Sequence, residues 1–303
     1  METFLKMVNT QSILFIYLAV GYYCRKRNTF TDETRSKLTD FVVLITLPCM
    51  VFSSFRIEFS TDALIKGSVA LLIAAVMALA ALAAGKLLYN RFDHRERCIL
   101  QYGTLVTNSG FAGLPIVSGA FGDEGLFLGS LFIIPTRILM WSAGISLFTT
   151  GGTRWERTKK VMTNPAIVAV FAGLIWMLFQ LPLPGFLDTA IDHLGDCTSP
   201  LAMALVGAIL ADVPLRGVWE PKAMYLVLIR QIALPVLCLV VLKALHMDAL
   251  TVGVSVTLSG MPIGSTTAIL AQKYGADAQF ASKCVFISTV TSLVTVPVLT
   301  LFI

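Results

Sequence analysis

Charge is what this chain has least of. Asp, Glu, Lys and Arg make up 14% of its 303 residues, against 56% for hydrophobic types. Soluble domains carry about 25% charged residues, so an ordinary soluble core is excluded and a polytopic membrane protein remains. No long polar stretch is left over for a separate soluble domain. Cysteine is sparse and scattered: Cys24, Cys49, Cys98, Cys197, Cys238 and Cys284 fall mostly inside apolar segments. With no CxxC pair and no metal-ligand spacing, they read as small buried hydrophobes. Of the three histidines, His94 falls in a loop and His193 and His246 near segment ends, so none reads as a metal ligand and no cofactor is expected. GxSG, HExxH and Walker A sequences are absent, as is a mid-segment aspartate pair. That argues against an intramembrane enzyme, and ATP drive would need another subunit. The first apolar stretch has little positive charge before it and no small-residue cleavage site, so it reads as a retained helix.

What is present is a series of apolar segments. A spanning helix needs roughly 20 apolar residues, and ten candidates fit: 4–24, 36–55, 63–89, 98–121, 125–148, 165–182, 190–211, 222–243, 249–274 and 279–303. The loops between them alternate in charge. Odd loops hold Arg25, Lys26, Arg27, Arg35 and Lys37; Lys86, Arg91, Arg95 and Arg97; Arg154, Arg157, Lys159 and Lys160; Arg216 and Lys222; Lys273 and Lys283. The other face has only Lys6, Arg56, Lys66 and Lys243, with acidic turns such as Asp123-Glu124. Basic loops stay in the cytoplasm, which places both termini on the extracytoplasmic side of a plasma membrane. The net charge of +5 follows from these loops and needs no nucleic-acid partner. The ten segments divide into five (1–149), a basic cytoplasmic loop (150–163) and five more (164–303). Five is odd, so the second set enters with inverted orientation, the geometry of inverted-topology repeats.

The fourth segment of each half is interrupted. The first interruption reads Thr107-Asn108-Ser109-Gly110-Phe111-Ala112-Gly113-Leu114-Pro115, the second Leu258-Ser259-Gly260-Met261-Pro262-Ile263-Gly264-Ser265. A break deep in a bilayer frees backbone N–H and C=O groups that hydrocarbon cannot satisfy. Paired breaks in corresponding places of two halves point to the substrate site of a secondary transporter.

These residues resemble the auxin efflux carrier family, which includes the plant PIN-FORMED exporters and bacterial permeases for malate or malonate. The run from Asn108 to Pro115 carries the resemblance, as do Ser259-Gly260-Met261-Pro262 with Ala271-Gln272-Lys273-Tyr274 and Leu47-Pro48 in segment two. The ten-segment layout matches as well, so the likeness covers essentially the whole chain. The long central loop of the plant exporters is missing, which gives the compact bacterial form. The resemblance implies an all-α membrane protein of ten helices in two inverted five-helix repeats, with helices four and nine broken and crossing at the midplane. It further implies a scaffold of helices 1, 2, 6 and 7 that forms a homodimer, and a mobile transport domain built from the rest.

The expected cargo is a small organic anion: a mono- or dicarboxylate, or an auxin-like acid. Half-helix N-termini present unpaired N–H groups and a positive dipole end to such an anion. The expected substrate-binding set is Asn108, Ser109, Gly110, Pro115, Ser259, Gly260, Pro262 and Ser265, together with Arg137. In the family the asparagine at this position lies near the substrate, which makes Asn108 the leading candidate. The hydroxyls, Thr266 and Thr267 included, either touch ligand or repair the broken backbone. Arg137, near the middle of segment five, is either an anion counter-charge or part of a structural contact; a bare charge there costs at least about 2.5–3.5 kcal/mol. Arg230 is expected to snorkel from segment eight to the cytoplasmic interface. Asp196 is a candidate partner for Arg137, a proton site or a local cap. Neither 104–118 nor 256–270 contains an acid, which counts against a sodium/proton antiporter. A sodium-coupled symporter of the bile-acid type stays open, as does a receptor-like membrane protein.

Overall fold

The computed structural model describes residues 2–56, 61–144, 146–148, 163, 165–180, 182–212, 219–264 and 266–303. Ser265, Arg216 and almost all of the expected cytoplasmic loop 150–163 lie outside them. The described chain is helical, and its one β-bridge joins Thr107 to Ile263. Among the described residues, six helices are long and apolar enough to cross a membrane: Asp32–Ser53, Thr61–Leu88, Leu114–Leu139, Gly185–Ala211, Pro221–Ala244 and Ala278–Thr300. Ile167–Phe179 and Ala249–Ser259 are shorter apolar helices.

In chain order, α1 is Glu2–Lys26, α2 Asp32–Phe41, α3 Leu47–Ser54, α4 Thr61–Leu88, α5 His94–Leu105 and α6 Leu114–Leu139. The rest are α7 Pro165–Phe179, α8 Gly185–Asp196, α9 Thr198–Ala211, α10 Pro221–Val227, α11 Leu234–Ala244, α12 Ala249–Ser259, α13 Thr266–Lys273 and α14 Ala278–Thr300. Side-chain caps start several of them: Thr31 accepts from the Thr34 N–H, Asp93 from Arg95, Asp248 from Thr251 and Asp277 from Phe280. Each satisfies one donor that a helix start leaves orphaned. Inside α6, Gly122 sits at φ 66°, ψ −157°. Only glycine adopts that region readily, and this kink falls between the fourth predicted segment and the fifth.

Three wide π turns precede Leu-Pro pairs. Val42–Thr46 leads into Leu47-Pro48, Ser109–Gly113 into Leu114-Pro115, and Leu228–Ala233 into Leu234-Pro235. In each, the leucine N–H reaches back five residues, to the carbonyls of Val42, Ser109 and Ile229. A proline ring collides with the carbonyl four residues before it and donates no hydrogen bond. A π turn moves that carbonyl aside and keeps the helix continuous.

Packing rests on small residues where backbones meet. A Cβ on Gly21 would lie 1.9 Å from the Ala204 carbonyl oxygen, and one on Gly207 the same distance from that of Leu18. α1 and α9 therefore touch backbone to backbone, as membrane helices do through small residues. The largest buried cluster joins α1, α3, α4, α6, α7, α9 and α12, with Phe55 edge-on to Phe127 at 5.2 Å. At one end, Asp212 accepts from Arg25 at 2.6 Å and Arg35 at 2.5 Å, and Lys222 pairs with Glu96 at 2.6 Å. Burial pulls the Asp212 carboxyl up, but the hydrogen bonds from Arg25 and Arg35 outweigh it and hold the group below its ordinary range.

Candidate functional site

Both interruptions predicted from Gly, Ser and Pro are breaks in the helices, and they meet. α5 ends at Leu105, Val106 is extended (φ −104°, ψ 114°), and the chain turns helical again at Ser109. α12 ends at Ser259 with Gly260 as its cap, and α13 begins at Thr266. The Asn108 N–H donates to the Pro262 carbonyl at 2.8 Å, and the Gly264 N–H donates to Val106 at 2.9 Å. Each break thus satisfies backbone groups that the other frees. Gly113 closes the contact: a Cβ there would lie 2.7 Å from Leu258 Cδ2 and 3.1 Å from Met261 Cγ. Gly260 sits under Leu299, whose Cδ1 would be 3.1 Å from a Cβ.

The second piece of the first broken helix points its N-terminus into the crossing. The Asn108 carbonyl accepts from Ala112 at 3.0 Å and from Gly113 at 3.2 Å. The N–H groups of Ser109 and Gly110 come too early in the helix to have an acceptor one turn back, so they carry the positive end of the dipole. Asn108 and Ser109 are buried beside them, and Pro115 follows the π turn, which makes room for its ring. The Thr107 hydroxyl donates to the Ser109 hydroxyl at 3.2 Å. Across the crossing, Tyr102 of α5 donates to Thr266 Oγ1 at 3.2 Å.

Arg137 reaches this N-terminus. Its Nη2 occupies the space where Gly110 lacks a side chain, 2.5 Å from a Cβ position there, and its Nη1 lies 3.6 Å from Met140 Sδ. Asn108, Ser109, Gly110 and Arg137 thus share one place. Arg230 does not snorkel. It is 6% exposed and donates from Nη1 to the Ser259 carbonyl at 2.6 Å. Depth along α10–α11 misjudged it, because the π turn at 228–233 carries it on the packed face rather than the outer one.

A family described as "Membrane transport protein" matches residues 8–159 and 156–300. This chain belongs to that family. A Methanothermobacter thermautotrophicus protein named "Uncharacterized transporter" is 27% identical over 300 residues, 96% of this chain and 97% of the relative. A Methanocaldococcus jannaschii protein of similar name is 25% identical over 94% of each chain. A Rhizobium meliloti protein named "Putative malonate transporter" is 26% identical over 63% of this chain and 65% of its own. The family is the auxin efflux carrier family that the breaks resemble.

In this transporter Asp196 forms no ion pair with Arg137 or Arg230 among the described residues. It is exposed at the end of α8 and lines a cavity of about 840 Å³ between α3, α6, α7 and α8. Arg56 bridges Asp188 and Asp192 on the cavity wall, and Asp123, Trp176 and Ser118 also face it. Ser118 is three residues beyond Pro115 of the first break. Sequence reasoning missed this cavity. Its signal was there: Asp188 and Asp192 stand four apart on one helical face, and Arg56 is one of few cations on that side.

Proposed function

We propose that this chain is a secondary carrier of small organic anions, mono- or dicarboxylates or auxin-like acids, working by alternating access. It spans a plasma membrane ten times as two inverted five-helix repeats, with both termini outside, and dimerises through helices 1, 2, 6 and 7. The substrate carboxylate sits at the crossing of the two broken helices. The N–H groups of Ser109 and Gly110 and the Asn108 amide hold it, and Arg137 offsets its charge. The carrying observation is the Arg137 guanidinium against Gly110 at a half-helix N-terminus: donors, dipole and cation converge, and no ion pair to Arg137 is found among the described residues. The cavity that Ser118 lines supplies the aqueous approach from outside.

The test is counterflow in proteoliposomes with labelled malate, malonate, lactate and indole-3-acetate. Saturable exchange of at least one, abolished in Asn108→Ala and Arg137→Ala while the protein stays folded, is the expected result. Full activity in both variants refutes the site.

A further inference from the structure

Arg230 has no part in the anion site above, yet it is buried at the other break. Its Nη1 donates to the Ser259 carbonyl at 2.6 Å, and its Nε is buried with no hydrogen-bond partner among the described residues. Ser259 is the last residue of α12, so this carbonyl is one of the acceptors that a helix end leaves orphaned. Such an end carries about half a negative charge. In carriers built on broken helices, half-helix C-termini and unwound carbonyls are where a coupling sodium ion or proton binds. Here a side chain fills that position with the same single charge. The next residue, Gln231, donates from Nε2 to the Ser288 carbonyl at 2.8 Å. The Ser288 hydroxyl in turn accepts from the Ile263 N–H at 3.3 Å. One π turn therefore grips both sides of the second break, Ser259 before it through Arg230 and Ile263 after it through Gln231 and Ser288. Removing the guanidinium therefore takes from the Ser259 carbonyl the side-chain donor it has here.

We propose that Arg230 is a tethered stand-in for a coupling cation: it holds the C-terminal end of α12 in the state that sodium-coupled carriers reach only with the ion bound, so this carrier moves its substrate without sodium. The proposal excludes the bile-acid-type sodium symporter as a reading of this chain. It rests on the carrier reading for its transport arm but not for its binding arm.

The transport arm measures counterflow in sodium, potassium and choline media. Wild type should be equal in all three. Arg230→Ala in choline should lose roughly 10–100-fold, the value of one charge-assisted bond, and recover on adding methylguanidinium or sodium. Arg230→Lys, which keeps a cation, should stay sodium-independent. The binding arm follows thermal unfolding of purified protein: methylguanidinium should raise the midpoint of Arg230→Ala and leave wild type unmoved. Sodium-dependent exchange by wild type overturns the proposal, as does an Arg230→Ala that is fully active, or one that is impaired yet deaf to both cations. If Arg230→Ala does not fold, Arg230→Lys decides, and sodium dependence or complete loss in it overturns the proposal. If no carboxylate is exchanged but methylguanidinium stabilises Arg230→Ala alone, the substrate reading fails and the role of Arg230 stands.

Discussion

Gly207→Ala should be among the most damaging single-methyl changes in this protein. The added carbon would lie 1.9 Å from the Leu18 carbonyl oxygen and 2.9 Å from the Tyr22 nitrogen. Ordinary close C···O contacts are about 3.3 Å, so α1 and α9 would have to part by roughly 1 Å or more. Both partners are backbone, and no flexible side-chain end can give way. Gly21 meets the Ala204 carbonyl in the same manner, so the helices are locked at two points one turn apart. Overpacking costs about 1–3 kcal/mol when side chains can adjust; here the upper end, about 3 kcal/mol, is expected. Gly85→Ala is the control. Its carbon would sit 3.4 Å from Gln101 Cα, an ordinary contact, and alanine in a helix interior gains roughly 0.5–1 kcal/mol over glycine. Thermal unfolding of the three purified proteins in detergent should show Gly207→Ala lowered by roughly 5–10 °C and Gly85→Ala unchanged or raised. Equal midpoints for Gly207→Ala and Gly85→Ala would refute the backbone contact.

Gly110→Leu should push the Arg137 guanidinium off the half-helix N-terminus and cut counterflow roughly as far as Arg137→Ala does, because both remove one charge-assisted contact; counterflow in the two single variants and the double variant checks it, and additive losses would separate the residues. Gly122→Ala, forced to φ 66° and ψ −157°, should cost about 1–3 kcal/mol of strain, read as a lowered unfolding midpoint although no atom lies within 4 Å of the new methyl. Asp212→Asn should cost ~0.5–1 kcal/mol, since its ion pairs with Arg25 and Arg35 are partly exposed. The Asp212 carboxyl is held below its ordinary value of 3.8, so the wild type's advantage should be level from neutral pH down to about pH 4 and vanish as pH falls further. Midpoints of both proteins across pH give that profile.

The breaks were legible in the sequence because glycine and proline act through the backbone itself. Asn108-Ser109-Gly110 and Gly260-Met261-Pro262 interrupt their helices whatever surrounds them. Arg137 was legible as an anomaly, a charge amid apolar residues, but its target was not. That depends on the rotation of α6 against the first break and on Gly110 leaving a space for the guanidinium. Arg230 was misplaced because distance from a helix end measures depth and says nothing about which face a residue occupies. For Asp196 the sequence keeps a partner for Arg137, a proton site and a local cap all open; its place at the cavity follows from where α8 stops, at the bend into α9 at Cys197. The close approach of α1 and α9 has no short-range signal, since Gly21 and Gly207 are far apart in the chain.

The π turn before Pro235 also changes how the sequence of its helix should be counted. Residues 223, 227, 231, 235 and 239 are all buried, and so are 226, 230, 234, 238 and 242. That is a repeat of four. An α-helix advances about 100° per residue, so a strict repeat of four would drift about 40° each step and carry later residues round to the lipid. The wide turn at 228–233 absorbs one residue's worth of that rotation, and the two rows stay on one side from end to end. Forcing 228–233 into a regular α turn with the sequence unchanged would leave every later side chain in the helix chemically intact and pointing about 100° away, with Cys238 and Leu242 turned out of the core, whereas deleting one residue there would keep both rows in place.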